Sequence, residues 1–136
     1  MSMFRTLDIS ATGLHAQTIR LNTIASNMAN VDSISSNAQD TFRGKKPVFE
    51  TIMDEATGLP AGGVKIKDIV ENKAPLKMEY MPNHPMADDK GYIYRPNVNV
   101  VEEMADMMSA SRTYQTNIEV MNTSKQLLLR TIQMGK

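Results

Sequence analysis

The sequence predicts a mainly α chain: long antiparallel N- and C-terminal helices forming a coiled-coil hairpin, with a small β-containing or extended middle segment. Three observations carry this expectation. Heptad-spaced apolar residues run through both ends of the chain, all six prolines fall between those ends, and so do most of the glycines. The 136 residues make room for one small domain, not for two with separate cores. The expected divisions are an N-terminal helix over 1–30, a middle segment over 31–97 and a C-terminal helix over 98–136.

The first seam holds Phe4, Leu7, Ala11, Leu14, Thr18, Leu21, Ala25 and Met28, in alternating steps of three and four. A repeat of 3.5 residues keeps one stripe of a helix turned toward a partner. Leu7, Leu14, Leu21 and Met28 form its larger track. Thr18 weakens the stripe, and Gly13 costs about 1 kcal/mol relative to alanine. The expected helix covers about residues 3–30.

The second seam is Val100, Met104, Met107, Ser111, Tyr114, Ile118, Met121, Lys125, Leu128 and Ile132. Asn99 reads as its N-cap, with Glu102 three residues later to complete a capping box. Pro96 lies upstream, where it breaks nothing. Glu102, Glu103 and Asp106 sit at the positive end of the helix dipole and Arg130 near the negative end. Gly135 reads as the closing residue. Such a helix is about 50 Å long at a rise of about 1.5 Å per residue. Helix packing, within the chain and between subunits, is assigned to Leu7, Leu14, Leu21, Met28, Val100, Met104, Met107, Tyr114, Ile118, Met121, Leu128 and Ile132.

The faces opposite these seams lack charge. From Ile9 to Asn30 the only formal charge is Arg20, and from Met107 to Ser124 there are only Arg112 and Glu119. Solvated helix faces carry Lys and Glu, whereas interface centres are depleted in them. An ordinary core explains a Met and Leu stripe by itself; it does not explain the bare outer faces. Both helices therefore read as covered on several sides, which argues for assembly. The 12 methionines suit contacts with non-identical neighbours, because thioethers repack easily.

The middle segment opens with an Asn-, Ser- and Asp-rich stretch over 30–40, a turn and loop composition. Strand candidates are Val48–Met53, Val64–Val70, Leu76–Met81 and Gly91–Tyr94. Gly62-Gly63 and Pro82-Asn83-His84-Pro85 read as turns. The segment is expected to project from the shared end of the two helices, with too few large apolar residues for its own core.

Composition excludes several chemistries. The 15 basic and 15 acidic residues balance, and no basic stripe exists for phosphate contacts, so nucleic acid is not an expected partner. The absence of cysteine removes disulfides, thiolate metal sites and a cysteine nucleophile. No apolar run approaches a membrane span, and Met1-Ser2-Met3-Phe4-Arg5 does not open a cleavable secretory signal. His84 near Asp88 and Asp89 matches no zinc or calcium spacing, and Asp-Asp-Lys-Gly is a common turn composition. His15 has no carboxylate at i+4. Gly58 to Gly63 lacks the lysine and the strand-to-helix context of a phosphate loop. Asn122-Thr123-Ser124 fits a glycosylation pattern inside a packed helix and reads as coincidence. No catalytic, metal or cofactor site is expected.

Several segments together carry a resemblance. Ser26-Asn27-Met28-Ala29-Asn30-Val31-Asp32-Ser33 resembles the motif that closes the N-terminal helix of flagellar rod and hook axial proteins. Met81-Pro82-Asn83-His84-Pro85 with Ala87-Asp88-Asp89-Lys90-Gly91-Tyr92 resembles a stretch of one rod protein. Val98-Asn99-Val100-Val101-Glu102-Glu103-Met104, Ser109-Ala110-Ser111-Arg112-Thr113-Tyr114-Gln115 and Asn117 to Leu129 resemble its C-terminal helix. The motif residues are Asn27, Ala29, Asn30, Asn83, Pro85, Gly91 and Asn99. The resemblance spans the chain from near residue 7, and the middle motif with the short length narrows it to the proximal rod.

What the resemblance implies is a structural subunit of the flagellar basal-body rod, within the periplasm, transmitting torque to hook and filament. Its implied partners are other copies of itself, neighbouring rod proteins, the rod–MS-ring junction protein and the flagellar type III export apparatus, with no membrane insertion. Export without a cleaved signal peptide follows from the same resemblance. A gate motif of Phe-x-x-x-apolar type belongs to the family; here Phe4 is followed four residues on by Asp8, and export contacts stay unassigned. Two other classes remain open: a soluble helical-hairpin binding module such as an export chaperone, and a hydrolase or metal enzyme with its site in the middle segment.

Overall fold

The computed structural model describes residues 3–54 and 56–135; positions 1, 2 and 136, at the outer edges of the two expected helical segments, lie outside the described residues. Two helices, α1 (Met3–Ala29) and α2 (Val100–Met134), enclose four strands: β1 (Lys45–Met53), β2 (Pro60–Glu71), β3 (Lys77–Tyr80) and β4 (Tyr92–Arg95). β1 and β2 form one antiparallel ribbon, and β3 and β4 a second.

The mainly α expectation is overturned. Helices of 27 and 35 residues are joined by strands of 9, 12, 4 and 4 residues in two sheets, which makes the fold mixed α/β. The long terminal helices remain. The middle forms more structure than its few large apolar residues suggest because β1–β2 needs no core of its own: it packs along α1. A two-stranded ribbon alone is marginal in water, and a helix against one face supplies what it lacks.

Helix α1 is therefore the central element, with α2 on one side and the β1–β2 ribbon on another. Near its end, Asn27 meets Lys45 at the start of β1; near its beginning, the Arg5 guanidinium donates to the Ala61 carbonyl at 3.1 Å. Between them the Thr12 hydroxyl accepts from the Val64 amide at 3.2 Å. The ribbon thus runs back along the helix instead of projecting from the shared end. Only β3–β4 lies at that end, tied by a bridge between Ser35 and Tyr94.

Gly62-Gly63 is not the turn its composition suggests. The chain reverses at 54–59, where the Gly58 amide bonds the Asp54 carbonyl and the Asp54 amide bonds the Leu59 carbonyl, both at 2.8 Å. The two glycines lie inside β2, where the ribbon crosses α1 closely. A Cβ at Gly62 would stand 2.9 Å from Ile9 Cδ1, and one at Gly63 would stand 3.2 Å from Thr12 Oγ1. Register shifts in β1–β2 at Val48/Phe49 and Thr51/Met53 bend the ribbon, as bulges do.

Helix α2 begins as its sequence predicts, with the Asn99 side chain accepting from the Val101 amide. The reciprocal half of the capping box is not made: Glu102 pairs with Lys46 of β1 at 3.1 Å. Gly135 caps the far end by donating to the Thr131 and Ile132 carbonyls, at φ −87°, without the left-handed turn usual for a C-terminal glycine.

Candidate assembly surface

The junction of helices and ribbon is a polar clasp. Asn27 is 1% exposed, and its amide treats Lys45 as a neighbouring strand would. Its Oδ1 accepts from the Lys45 amide and its Nδ2 donates to the Lys45 carbonyl, both at 2.8 Å. The same Nδ2 donates to Oε2 of Glu103 at 3.1 Å, and Glu103 is itself buried. One residue earlier, the Gly44 amide donates to Asn97 Oδ1 at 2.9 Å, while Asn97 Nδ2 donates to the carbonyls of Asn72 and Ala74. Two asparagines, Asn27 near the end of α1 and Asn97 in the link between β4 and α2, thereby fix where the ribbon leaves the hairpin. Arg20 and Asp106, 3.3 Å apart, add a partly buried ion pair between the helices. Lys46 holds its proton more tightly than usual, chiefly because Glu102 accepts a hydrogen bond from it and secondarily through nearby acidic charge.

Between α1 and α2 the contact uses small and polar side chains. A Cβ on Gly13 would meet Asn117 Nδ2 at 3.0 Å, so this glycine, a cost to the isolated helix, lets the two helices approach. On α2 the less exposed positions include Glu103, Met107, Ala110, Tyr114, Asn117, Met121, Ser124 and Leu128, again in steps of four and three. Met107, Tyr114, Met121 and Leu128 lie on this stripe, and Leu7, Leu14, Leu21 and Met28 of α1 are half-buried. Val100, Met104 and Ile118 instead lie on an exposed flank of α2, while Ile132, four residues past Leu128 on the stripe itself, is exposed beyond the register of Met3. A search for large apolar residues passes over Ala110, Asn117 and Ser124; their seven-residue spacing is the signal that finds them.

The charge-poor faces now separate. On α1, Ile9 and Thr12 face the ribbon, and Ile19, Asn22, Thr23 and Ser26 share a surface cleft with Lys45 and Ile69. Its own chain covers part of that side, leaving Asn22 and Ser26 exposed. On α2, Val101, Met104, Met108, Ile118 and Leu129 fall within one face about 100° wide and stay exposed, while Val120 and Leu127 are exposed on the other flank. This outer face of α2 is the candidate assembly surface.

The remaining motif residues serve the backbone. Asn30 donates from its side chain to the Ser26 carbonyl at 2.8 Å, while Ala29, Asn83 and Pro85 are exposed. Gly91, at φ 84°, lies where a Cβ would stand 2.9 Å from the Tyr80 ring. His84 Nδ1 accepts from the Met86 amide at 3.0 Å, and Asp88 Oδ1 accepts from the Lys90 and Tyr92 amides at 2.9 and 2.8 Å. Among the described residues no group of three or more His, Asp or Glu is placed to hold a metal ion, and no helix is long and apolar enough to cross a membrane.

The Tyr92 amide, followed by the Lys90 amide, holds the Asp88 carboxyl below its ordinary value of 3.8. A lowered folded value means the carboxylate supports the loop above that ordinary value and releases it as pH falls through the folded one. Protection of the Tyr92 and Lys90 amides is expected to fall in that acidic window, and Asp88→Asn is expected to remove the pH dependence. Unchanged exchange across the window would show that Asp88 does not anchor the loop.

Two family models match the segments that hold α1 and α2. A family model described as flagella basal body rod protein matches residues 7–33, and one described as flagellar basal body rod FlgEFG protein C-terminal matches residues 89–134. The chain is 46% identical to the flagellar basal-body rod protein FlgC of Escherichia coli O6:H1 over 136 residues, covering the whole of both chains. The protein of the same name from Salmonella typhimurium is also 46% identical over the full length of both. That of Aquifex aeolicus is 38% identical, across all of this chain and 99% of its own. Full-length identity of this order, together with family matches on the segments that build α1 and α2, shows that the chain belongs to the FlgC family of flagellar basal-body rod proteins.

Proposed function

We propose that this chain is a structural subunit of the proximal rod, assembling through its terminal helices into the axial shaft that carries torque from motor to hook and filament. Membership of the rod family makes it a structural rod subunit of the flagellar basal body. The observation that supports the finer reading is the exposed apolar face along α2, which no part of the described chain covers. Close steric packing along such a face resists shear better than surface ion pairs, each worth about 0–1 kcal/mol. Val100, Met104, Ile118 and Ile132 serve contacts between subunits, while Leu7, Leu14, Leu21, Met28, Met107, Tyr114, Met121 and Leu128 serve the hairpin.

The subunit works within the periplasm, reached through the flagellar type III export apparatus, and its partners are further copies, neighbouring rod proteins and the rod–MS-ring junction protein. It carries no catalysis. Aspartate at Leu21 or Leu128 is expected to abolish rod assembly and swimming, whereas Asp89→Ala, on an exposed loop, is expected to leave both intact. Normal motility in either leucine variant would remove these residues from the assembly path. Amide exchange gives a second check: α2 is expected to be strongly protected in isolated basal bodies and to exchange faster in the purified monomer. Equal protection in both would favour a self-contained binding module.

A further inference from the structure

The chain has neither cysteine nor tryptophan, so the thioethers of its 12 methionines are its most easily oxidised side chains. Four of them, Met28, Met104, Met107 and Met108, line one open groove of about 430 Å³, with Ser111 and Arg112 completing its wall. Their exposure differs. Met108 is 61% exposed and Met104 51%, whereas Met28 and Met107, on the seam between the helices, are half-buried. A second surface cleft, lined by Ala105, Met108, Ser109, Arg112 and Thr113, also borders Met108, so solvent reaches this side chain from two directions.

Arg112 gives Met108 a chemical neighbour. The two are four residues apart on α2, which places their side chains next to each other on one face. Among the described residues the Arg112 guanidinium has no ion-pair partner. A thioether offers it only a weak acceptor, whereas a sulfoxide oxygen is polar and accepts well. Met78 supplies an internal comparison. It is 58% exposed, nearly as much as Met108, but alternation along β3 and β4 sets it beside Tyr80 and Tyr94 and turns Lys77 and Arg95 to the other face.

We propose that Met108 is a reversible oxidation site on the outer face of α2, assisted by Arg112, and that its sulfoxide keeps a free subunit out of the rod. The inference rests on the rod reading above. A sulfur lone pair of Met108 attacks one oxygen of a peroxide, and the O–O bond breaks. The departing hydroxide collects the proton left on the transferred oxygen and leaves as water. Sulfur is thus oxidised by two electrons and the peroxide reduced by two, with no other product. A guanidinium N–H beside the sulfur stabilises the negative charge developing on the departing oxygen, and afterwards donates to the sulfoxide oxygen. Two thiols of a sulfoxide reductase reverse the step, becoming a disulfide and releasing the oxygen as water. The oxidised side chain is polar and tied to Arg112, so it no longer repacks against an apolar neighbour as a thioether does.

Purified subunit treated with hydrogen peroxide and sampled by peptide mass spectrometry is expected to oxidise at Met108 about threefold faster than at Met78, the effect of one modest hydrogen bond on a barrier. Arg112→Gln is expected to bring the two rates together while circular dichroism shows the helices intact. Equal rates in the unsubstituted chain, or a difference that survives Arg112→Gln, would overturn the assisted site. For assembly, Met108→Gln carries a neutral polar group of sulfoxide-like size and Met108→Leu an apolar one, both at an exposed position that does not decide folding. Isolated basal bodies are expected to hold about tenfold fewer copies of the Gln variant than of the Leu variant, the effect of burying one amide. Equal incorporation, or loss of both variants, would overturn the block on assembly while leaving the rod reading intact. Absence of the unsubstituted chain from basal bodies would remove the rod reading itself.

Discussion

Asn27→Ala is expected to lower the unfolding free energy by about 3–5 kcal/mol, since each buried group left without its partner costs about 1–3 kcal/mol and a charged one more. The substitution strands the amide and carbonyl of Lys45 together with the Glu103 carboxylate, all three held by one side-chain amide. Asn27→Asp is expected to be no milder. It keeps an acceptor for the Lys45 amide, loses the donor to the Lys45 carbonyl and sets a second carboxylate against Glu103. Urea unfolding followed by circular dichroism measures both. A loss below about 1 kcal/mol would mean that water replaces the clasp at little cost. Amide exchange over 44–50 is expected to rise more than over 104–110, because the ribbon loses its anchor while the helices keep their other contacts.

Gly62→Val is expected to cost about 3 kcal/mol, combining backbone strain of about 1–2 kcal/mol with overpacking of about 1–3 kcal/mol. Gly62 has φ 89°, a region a β-branched residue resists, and its Cβ would press Ile9 at 2.9 Å. Gly58→Ala separates the two terms. Gly58 also has a positive φ, 65°, but its Cβ would meet nothing within 4 Å, so only the backbone penalty of about 1 kcal/mol is expected. Equal losses at the two sites would show that the close approach of ribbon to helix contributes nothing. The position of the ribbon on α1 can be followed separately through the Val64 amide, which the Thr12 hydroxyl accepts.

Local signals made much of the architecture legible. Period and capping residues located both helices, and all four strand candidates match observed strands to within a few residues. Gly62-Gly63 misled because a glycine pair means a turn or a close approach with equal force, and sequence does not say what lies opposite. Gly13 misled similarly: it weakens a lone helix and permits a closer pair. The bare polar side of α1 suggested a neighbouring subunit; its own ribbon covers part of it, through Ile9, Thr12 and Thr23.

By itself, then, the sequence determined the two long helices, the four strands, the N-cap at Asn99 and the resemblance to rod proteins, because each depends on residues close in the chain or on motifs read in order. Only the tertiary structure decided that the middle folds back along α1, that Asn27, Glu103 and Lys45 form one clasp, and that the uncovered apolar face belongs to α2. Those depend on pairings across tens of residues, made by a glycine, an alanine and asparagines whose hydrophobicity is nearly silent. Backbone hydrogen bonding and close approach, not apolar area, select their partners.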